Sequence, residues 1–237
     1  MDFHGSFTDQ ETLCDLITCW IISTYFLDVI PVTGYLWPNG EPGSGKSHLL
    51  YVISTVAYLG MVITAGGSFA AIRDLAGYGG ALMFDDAEKI MDRNTGDPDK
   101  QALLLAGNRK GTTVPLKIPT ANKGWETRHI NAYCPKAFSA IMLPIDTLAS
   151  RTIFIPLLAS DNNAKANSDP LDFENWPDGI DRRRLVDDLW SMALINLGNM
   201  ALSDQKVSQE TCMAGRAFQP WRAILSVAHW LDGKGAD

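Results

Sequence analysis

The eight residues Gly40-Glu41-Pro42-Gly43-Ser44-Gly45-Lys46-Ser47 fit the pattern G-x-x-x-x-G-K-[ST]. Glycines at these spacings let the backbone fold into a nest of N–H groups, and such a nest at a helix N-terminus attracts phosphate. A lysine in the seventh place reaches the β- and γ-phosphates, and the hydroxyl after it takes a place on Mg²⁺. The flanks agree: apolar Tyr35-Leu36-Trp37 precedes the loop, and Ser47-His48-Leu49-Leu50-Tyr51-Val52-Ile53 follows with helical patterning. A Gly/Ser-rich turn matching by chance would not need that strand–loop–helix context. The expected nucleotide-binding set is Gly40, Pro42, Gly43, Ser44, Gly45, Lys46, Ser47 and His48.

A second chemistry-bearing run is Phe84-Asp85-Asp86-Ala87-Glu88, at the end of the apolar stretch Ala81–Phe84. Asp85 is placed to hold Mg²⁺ together with Ser47, directly or through water. A carboxylate beside it orients and polarises an attacking water, with Asp86 the first candidate and Glu88 the second. The plainer reading is a helix start that favours acidic residues. Arg151 stands immediately before the apolar run Thr152–Leu157. A guanidinium there could stabilise charge on a γ-phosphate, usually that of a neighbouring subunit; the alternative is a surface pair with Asp146.

Composition sets the frame for these residues. The 237 residues suit one large α/β domain or a core with a small helical appendage, at ordinary hydrophobic (46%) and charged (20%) content. Cys14, Cys19, Cys134 and Cys212 form no C-x-x-C pair, which points to reduced, mostly buried thiols in a cytoplasmic protein without a zinc site. The longest apolar stretch, Leu16–Leu27, is too short to span a bilayer and is bracketed by Asp15 and Asp28, so no membrane association is expected. The net charge is −7, but Arg109, Lys110, Lys117, Lys123, Arg128 and Lys136 face only Glu126 within residues 107–136, a local +5 on a remainder of −12. A basic element on an acidic body touches a polyanion at one place, or is simply a solvated hairpin.

The elements that position these groups follow from periodicity and punctuation. A helix is expected over 10–30, begun at Thr8 or Asp9 and closed before Pro31. Strands are expected at Tyr35–Trp37, Met61–Thr64, Ala81–Phe84, Phe138–Met142 and Thr152–Leu157, with helices after the phosphate loop to about Leu59, at Phe69–Ala76 behind Ser68, and at Gln101–Ala106. Thr113–Ile118 and Trp125–Tyr133 read as an inserted β-hairpin. Residues 1–158 form the core, 159–180 an Asn/Asp/Pro-rich linker, and 181–237 a helical lid with Leu185, Leu189, Trp190, Leu194 and Leu197 at helical spacing. Arg182-Arg183-Arg184, flanked by Asp178, Asp181, Asp187 and Asp188, reads as a salt-bridged helix start. Strands alternating with helices predict a three-layer, mostly parallel five-stranded sheet with ligand at the strands' C-terminal ends, the P-loop NTPase fold of the AAA+/ASCE type.

The loop, Leu82-Met83-Phe84-Asp85-Asp86-Ala87-Glu88, Ala106-Gly107-Asn108-Arg109-Lys110-Gly111, Leu143-Pro144-Ile145-Asp146-Thr147-Leu148-Ala149-Ser150-Arg151-Thr152 and Gly215-Arg216…Pro220-Trp221…Ile224 occur in one order. Together they resemble a domain of unknown function found in phage- and plasmid-type primase-helicase proteins, related to superfamily 3 helicases. The resemblance implies an ATP- and Mg²⁺-dependent DNA helicase or translocase of a mobile-element replication system. It implies a homo-oligomeric ring, hexameric by preference, with single-stranded DNA in its channel and a primase or origin-binding partner. By resemblance Arg151 is the arginine finger, Arg216 is a lid arginine sensing nucleotide, and the hairpin grips DNA through Lys117, Lys123, Trp125 and Arg128. Trp125 reads first as a packing residue and second as a base-stacking one. Two positions depart from the family pattern: Asp86 stands where relatives carry Glu, and Leu143-Pro144 follows Phe138–Met142 where a polar sensor Asn is expected. Both favour the alternative of a nucleotide-gated oligomeric interaction module with slow or no hydrolysis.

Overall fold

The computed structural model describes residues 10–64, 67–87, 98–120, 124–144, 146–159, 168–172 and 181–234. Seven strands are described: β1 (Tyr35–Asn39), β2 (Met61–Ile63), β3 (Leu82–Phe84), β4 (Thr113–Pro119), β5 (Trp125–Asn131), β6 (Lys136–Phe138) and β7 (Thr152–Pro156). Five of them make one sheet in the order β2-β3-β6-β1-β7, with every neighbouring pair parallel. The other two, β4 and β5, form a separate antiparallel hairpin. Helices are α1 (Gln10–Ser23), α2 (Lys46–Val56), α3 (Phe69–Gly77), α4 (Pro98–Ala106), α5 (Asp146–Ala149), α6 (Arg182–Glu210), α7 (Gly215–Phe218) and α8 (Arg222–Lys234).

The sheet strands are apolar on both sides because both faces are covered. Successive side chains alternate across a strand. Leu36, Met83, Ala137, Ile153 and Ile155 therefore join a core with α1, α2, α6 and α8. Tyr35, Trp37, Leu82, Phe84 and Phe138 join a second core with α3 and α4. These are the three layers expected from the sequence. Ser68 caps α3 as its position predicts, its Oγ accepting from Ala71 N at 3.2 Å.

Several element boundaries differ from expectation, two of them near the site or the first core. The first helix ends at Ser23 and tightens into a 3-10 turn over Thr24–Phe26, where Ser23 and Thr24 hydroxyls donate to the carbonyls of Trp20 and Ile21. The strand expected at Phe138–Met142 runs instead over Lys136–Phe138, in register with Leu82–Phe84. Beyond it, Asn39 Nδ2 donates to the carbonyls of Ala140 and Ile141, and Trp37 Nε1 to that of Met142. Side chains of β1, rather than a continued ladder, thus hold this segment.

The C-terminal helices are present, and their anchors lie at the end of the sheet where the strands begin. A β-carbon on Gly34, just before β1, would collide with the Pro220 backbone, and Trp20 Nε1 donates to Gly34 O at 2.8 Å. Arg182 reaches back to Thr55 O at the C-terminal end of α2, while Trp190 meets Tyr25 and Tyr58. Asp181 caps α6 by accepting from Arg183 N and Arg184 N. Within the lid, Asp204 is buried and takes both Arg222 Nε (2.8 Å) and Nη2 (2.6 Å), with Ser226 Oγ at 3.1 Å. Most of the expected linker lies outside the described residues. Among the described residues no helix is long and apolar enough to cross a membrane, and all four cysteines are free, Cys19 and Cys134 buried and Cys14 and Cys212 exposed.

Candidate nucleotide site and hairpin

The chain leaves β1, turns through residues 40–45 and enters α2 at Lys46. Gly43 and Gly45 have φ of +82° and +87°, a region that L side chains enter only with strain, although space is open around both. With Gly45 in that conformation, the first turn of α2 directs its unpaired N–H groups toward the loop. Lys46 Nζ lies across the loop, donating to Gly40 O at 2.6 Å and Glu41 O at 3.0 Å. Ser44 is buried, and its Oγ has no hydrogen-bond partner. Pro42 is exposed on the loop and His48 half-buried on the first turn of α2.

The two sequence motifs meet at one carboxylate. Ser47 Oγ donates to Asp85 Oδ1 at 2.8 Å, and Ser139 Oγ donates to the same oxygen at 2.5 Å. Ser139 Oγ also accepts from Asp86 N at 3.2 Å, and Ser139 O accepts from Ala87 N at 3.0 Å. Asp86 is exposed with φ +54°, a left-handed conformation that Asp tolerates better than most residues and that marks strain next to a site. Glu88 lies outside the described residues.

The donor set fits Mg²⁺ delivered with a nucleotide. Mg²⁺ binds oxygens at about 2.1 Å in an octahedron, so adjacent ligand oxygens stand roughly 3 Å apart. The Ser47–Asp85 separation of 2.8 Å matches that edge. Among the described residues no cluster of three or more His, Cys, Asp or Glu could hold an ion by itself. That suits Mg²⁺, which takes few protein ligands and completes its shell with phosphate and water.

Ser139 is the functional residue that the sequence reading missed. It is the first residue after β6, is 1% exposed, and joins the Asp85 carboxylate to the Asp86 backbone amide. A polar group was sought after Met142 because the strand was placed too late. The available signal was a serine at the end of the apolar run Ala137-Phe138.

The arginines lie elsewhere. Tyr35 N donates to Arg151 O, so Arg151 is level with the start of β1, and its Nη1 donates to Thr147 O at 2.7 Å. At about 3.3 Å per residue, β1 separates that level from the loop by roughly 13 Å. Arg216, on α7, is anchored to the same end through Pro220 against Gly34. The structure does not bring Arg151 to its own chain's 40–45 loop.

The hairpin pairs Thr113 with Asn131 through to Pro119 with Trp125. That register puts Lys117 and Trp125 on one face, and Arg128 on the other with Leu116 and Ile118. Trp125 is 68% exposed, which overturns its reading as a packing residue of this chain. Arg128 stands 4.0 Å from Glu126. Lys123 lies outside the described residues. Lys136, counted among the basic residues of this region, is fully buried and adds nothing to the surface charge.

No protein-family model matches the chain, and no curated protein matches it. Solved structures do. The active helicase Cch of SCCmec type IV superposes with a TM-score of 0.53 at 14% identity over 95% of this chain, which spans 44% of that helicase's length. Two structures of JCV helicase, one with a thiazolopyridinyl-phenoxyphenyl acetamide bound and one with an inhibitor bound, cover 94% of this chain at 15% identity, with TM-scores of 0.34 and 0.33. The chain spans 60% and 67% of those two. The first likeness gives the fold: a helicase-type P-loop α/β fold with a C-terminal helical region.

Proposed function

We propose that this chain is the ATP-hydrolysing core of a ring-forming DNA translocase, a helicase of the superfamily 3 type from a mobile-element replication system. The observation that carries the reading is the contact of Ser47 with Asp85, which joins the phosphate loop to the carboxylate strand. The loop N–H groups and Lys46 bind the phosphates, while Ser47 and Asp85 hold Mg²⁺. The metal, when bound with ATP, neutralises charge developing on the transferred phosphoryl group. Asp86 orients the attacking water, with Glu88 as the second candidate, and Ser139 fixes the backbone that carries Asp86.

Because Arg151 and Arg216 lie at the opposite end of the sheet, each acts on a neighbouring copy's nucleotide in this reading. Such head-to-tail contacts close into rings, with a hexamer proposed here. Lys117, Trp125 and Lys123 grip single-stranded DNA by phosphate contact and base stacking. A primase or origin-binding partner would supply loading.

The test is phosphate release from ATP and Mg²⁺, with and without single-stranded DNA, beside Lys46→Ala. Turnover raised by DNA and abolished in the variant supports the motor. ATP binding without turnover favours the gated interaction module, and absence of binding removes both readings. Mixing Lys46→Ala with Arg151→Ala tests the trans arrangement. Each variant alone is inactive, yet in an equal mixture about a quarter of head-to-tail contacts join an intact loop to an intact Arg151. Activity that stays at the level of the separate variants would eliminate Arg151 as a trans-acting group.

A further inference from the structure

Lys136 is the first residue of β6 and its side chain is fully buried. Its Nζ donates to Ala132 O at 3.2 Å and Cys134 O at 3.3 Å, and lies 5.2 Å from the centroid of the Tyr35 ring. It presses on Gly107, where a β-carbon would collide with Nζ and with the Ala132 carbonyl. Gly107 begins the passage from α4 toward the hairpin, and Ala132–Cys134 is the limb returning from it. Cys134 N closes the root by donating to Gly107 O at 3.2 Å. The ammonium group thus fastens the returning limb to β6, and the outgoing limb joins it only through the Cys134–Gly107 backbone bond.

No carboxylate pairs with Lys136 among the described residues. Burial pushes its pKa below the usual lysine value, and only the neighbouring Cys134 opposes that. A buried cation without a counter-ion disfavours folding unless hydrogen bonds and aromatic faces offset its lost hydration. Methionine would fill the same length without that cost. What methionine would not do is fix the carbonyls of Ala132 and Cys134.

The other end of β6 reaches the phosphate chemistry within the same short strand. Phe138 is followed by Ser139, which holds Asp85 Oδ1 and Asp86 N. β6 is clamped between β3 and β1, with Phe84 stacked on Phe138 at 5.1 Å. Lys136 and Ser139 thus stand three residues apart, at the start and just past the end of one strand held on both sides.

We propose that Lys136 is a positioning residue that couples the nucleotide site to the hairpin, linking Ser139 through β6 to the hairpin's returning limb at Ala132 and Cys134. The proposal rests on the translocase reading above and adds to it the residue that transmits the coupling. It is tested with Lys136→Met in the full chain, using ATP hydrolysis and binding of a fluorescent single-stranded oligonucleotide in the presence of ADP or a slowly hydrolysed ATP analogue. In the wild type, DNA affinity should differ between the two nucleotides by about 5-fold or more. In Lys136→Met that ratio should fall below about 2-fold and DNA stimulation of kcat should vanish, while KM for ATP and basal kcat stay within about 2-fold of wild type. Retention of both the affinity ratio and the stimulation in the variant overturns the proposal while leaving the translocase reading intact. A wild type with no DNA-stimulated turnover overturns the translocase reading itself. Should the variant not fold, hydrogen exchange of wild-type Ala132 and Cys134 amides with and without the ATP analogue decides: altered protection supports the coupling, and identical protection overturns it.

Discussion

Replacing Ser139 with alanine removes one oxygen and little volume, at a position only 1% exposed. Two interactions go with it: donation to Asp85 Oδ1 at 2.5 Å and acceptance from Asp86 N at 3.2 Å. A hydrogen bond to a charged group contributes about 1.5–3 kcal/mol. Asp85 is half-buried and keeps Ser47 as a donor, which places its share at the low end of that range. The Asp86 amide is exposed enough to turn to water, so its loss acts mainly by freeing the left-handed backbone at φ +54°. That conformation aims the carboxylate proposed to orient the attacking water.

About 1.5–2 kcal/mol lost from the transition state corresponds to a fall of roughly 10- to 30-fold in kcat. Asp85, Ser47 and Lys46, proposed to hold Mg²⁺ and phosphate, are all retained and Asp85 keeps its contact with Ser47, so KM for ATP should change by less than about 3-fold. Steady-state phosphate release at saturating ATP measures the first quantity, and a nucleotide titration of the same preparation measures the second. Unfolding temperature serves as the control and should fall by no more than about 4 °C for a loss near 1 kcal/mol. A Ser139→Ala protein with wild-type kcat would refute the reasoning, because it would show that neither carboxylate depends on this serine.

Three further outcomes follow from the geometry. Gly45→Ala forces a β-carbon onto a backbone at φ +87°, at a cost of about 1–2 kcal/mol, and calorimetric titration should show nucleotide affinity reduced by roughly 5- to 30-fold. Lys117→Ala should lower single-stranded DNA affinity and reduce the log–log salt slope by about 0.7, while Arg128→Ala, on the opposite face, should change the slope by less than half as much. Asp204→Ala leaves the Arg222 guanidinium without the carboxylate that accepts from it, and thermal denaturation should report a loss of about 3–5 kcal/mol, or roughly 6–20 °C.

The strand–loop–helix around residues 40–45 was legible in the sequence because its pattern is local: the glycines, Lys46 and Ser47 are consecutive or nearly so. The hairpin was legible for a related reason, since its limbs are neighbours in sequence and the first alternates in exposure. Ser139 was obscured by Lys136. A lysine at the head of an apolar run reads as a boundary, and its burial is made possible by the Ala132 and Cys134 carbonyls and the Tyr35 ring, whose convergence only the fold reveals. With the strand start displaced from Lys136 to Phe138, the position of the polar group moved with it. The location of Arg216 was equally hidden, because it depends on the tail's packing of Pro220 against Gly34, a contact between segments far apart in sequence.

Strand direction accounts for what remains. In an all-parallel sheet every loop that follows a strand lies at one end and every residue that precedes a strand lies at the other. The phosphate loop follows β1 while Arg151 precedes β7, so no rotamer of Arg151 brings them together across roughly 13 Å of strand. At the loop end, the side chains of Trp37 and Asn39 hold Ile141 and Met142 by their carbonyls, and Ile141, Met142 and Leu143 are 50%, 69% and 70% exposed. An apolar run presented there gains nothing for a chain that binds nucleotide alone. In the ring proposed above, the loop end would meet the arginine end of the next copy, and that contact would cover the apolar run.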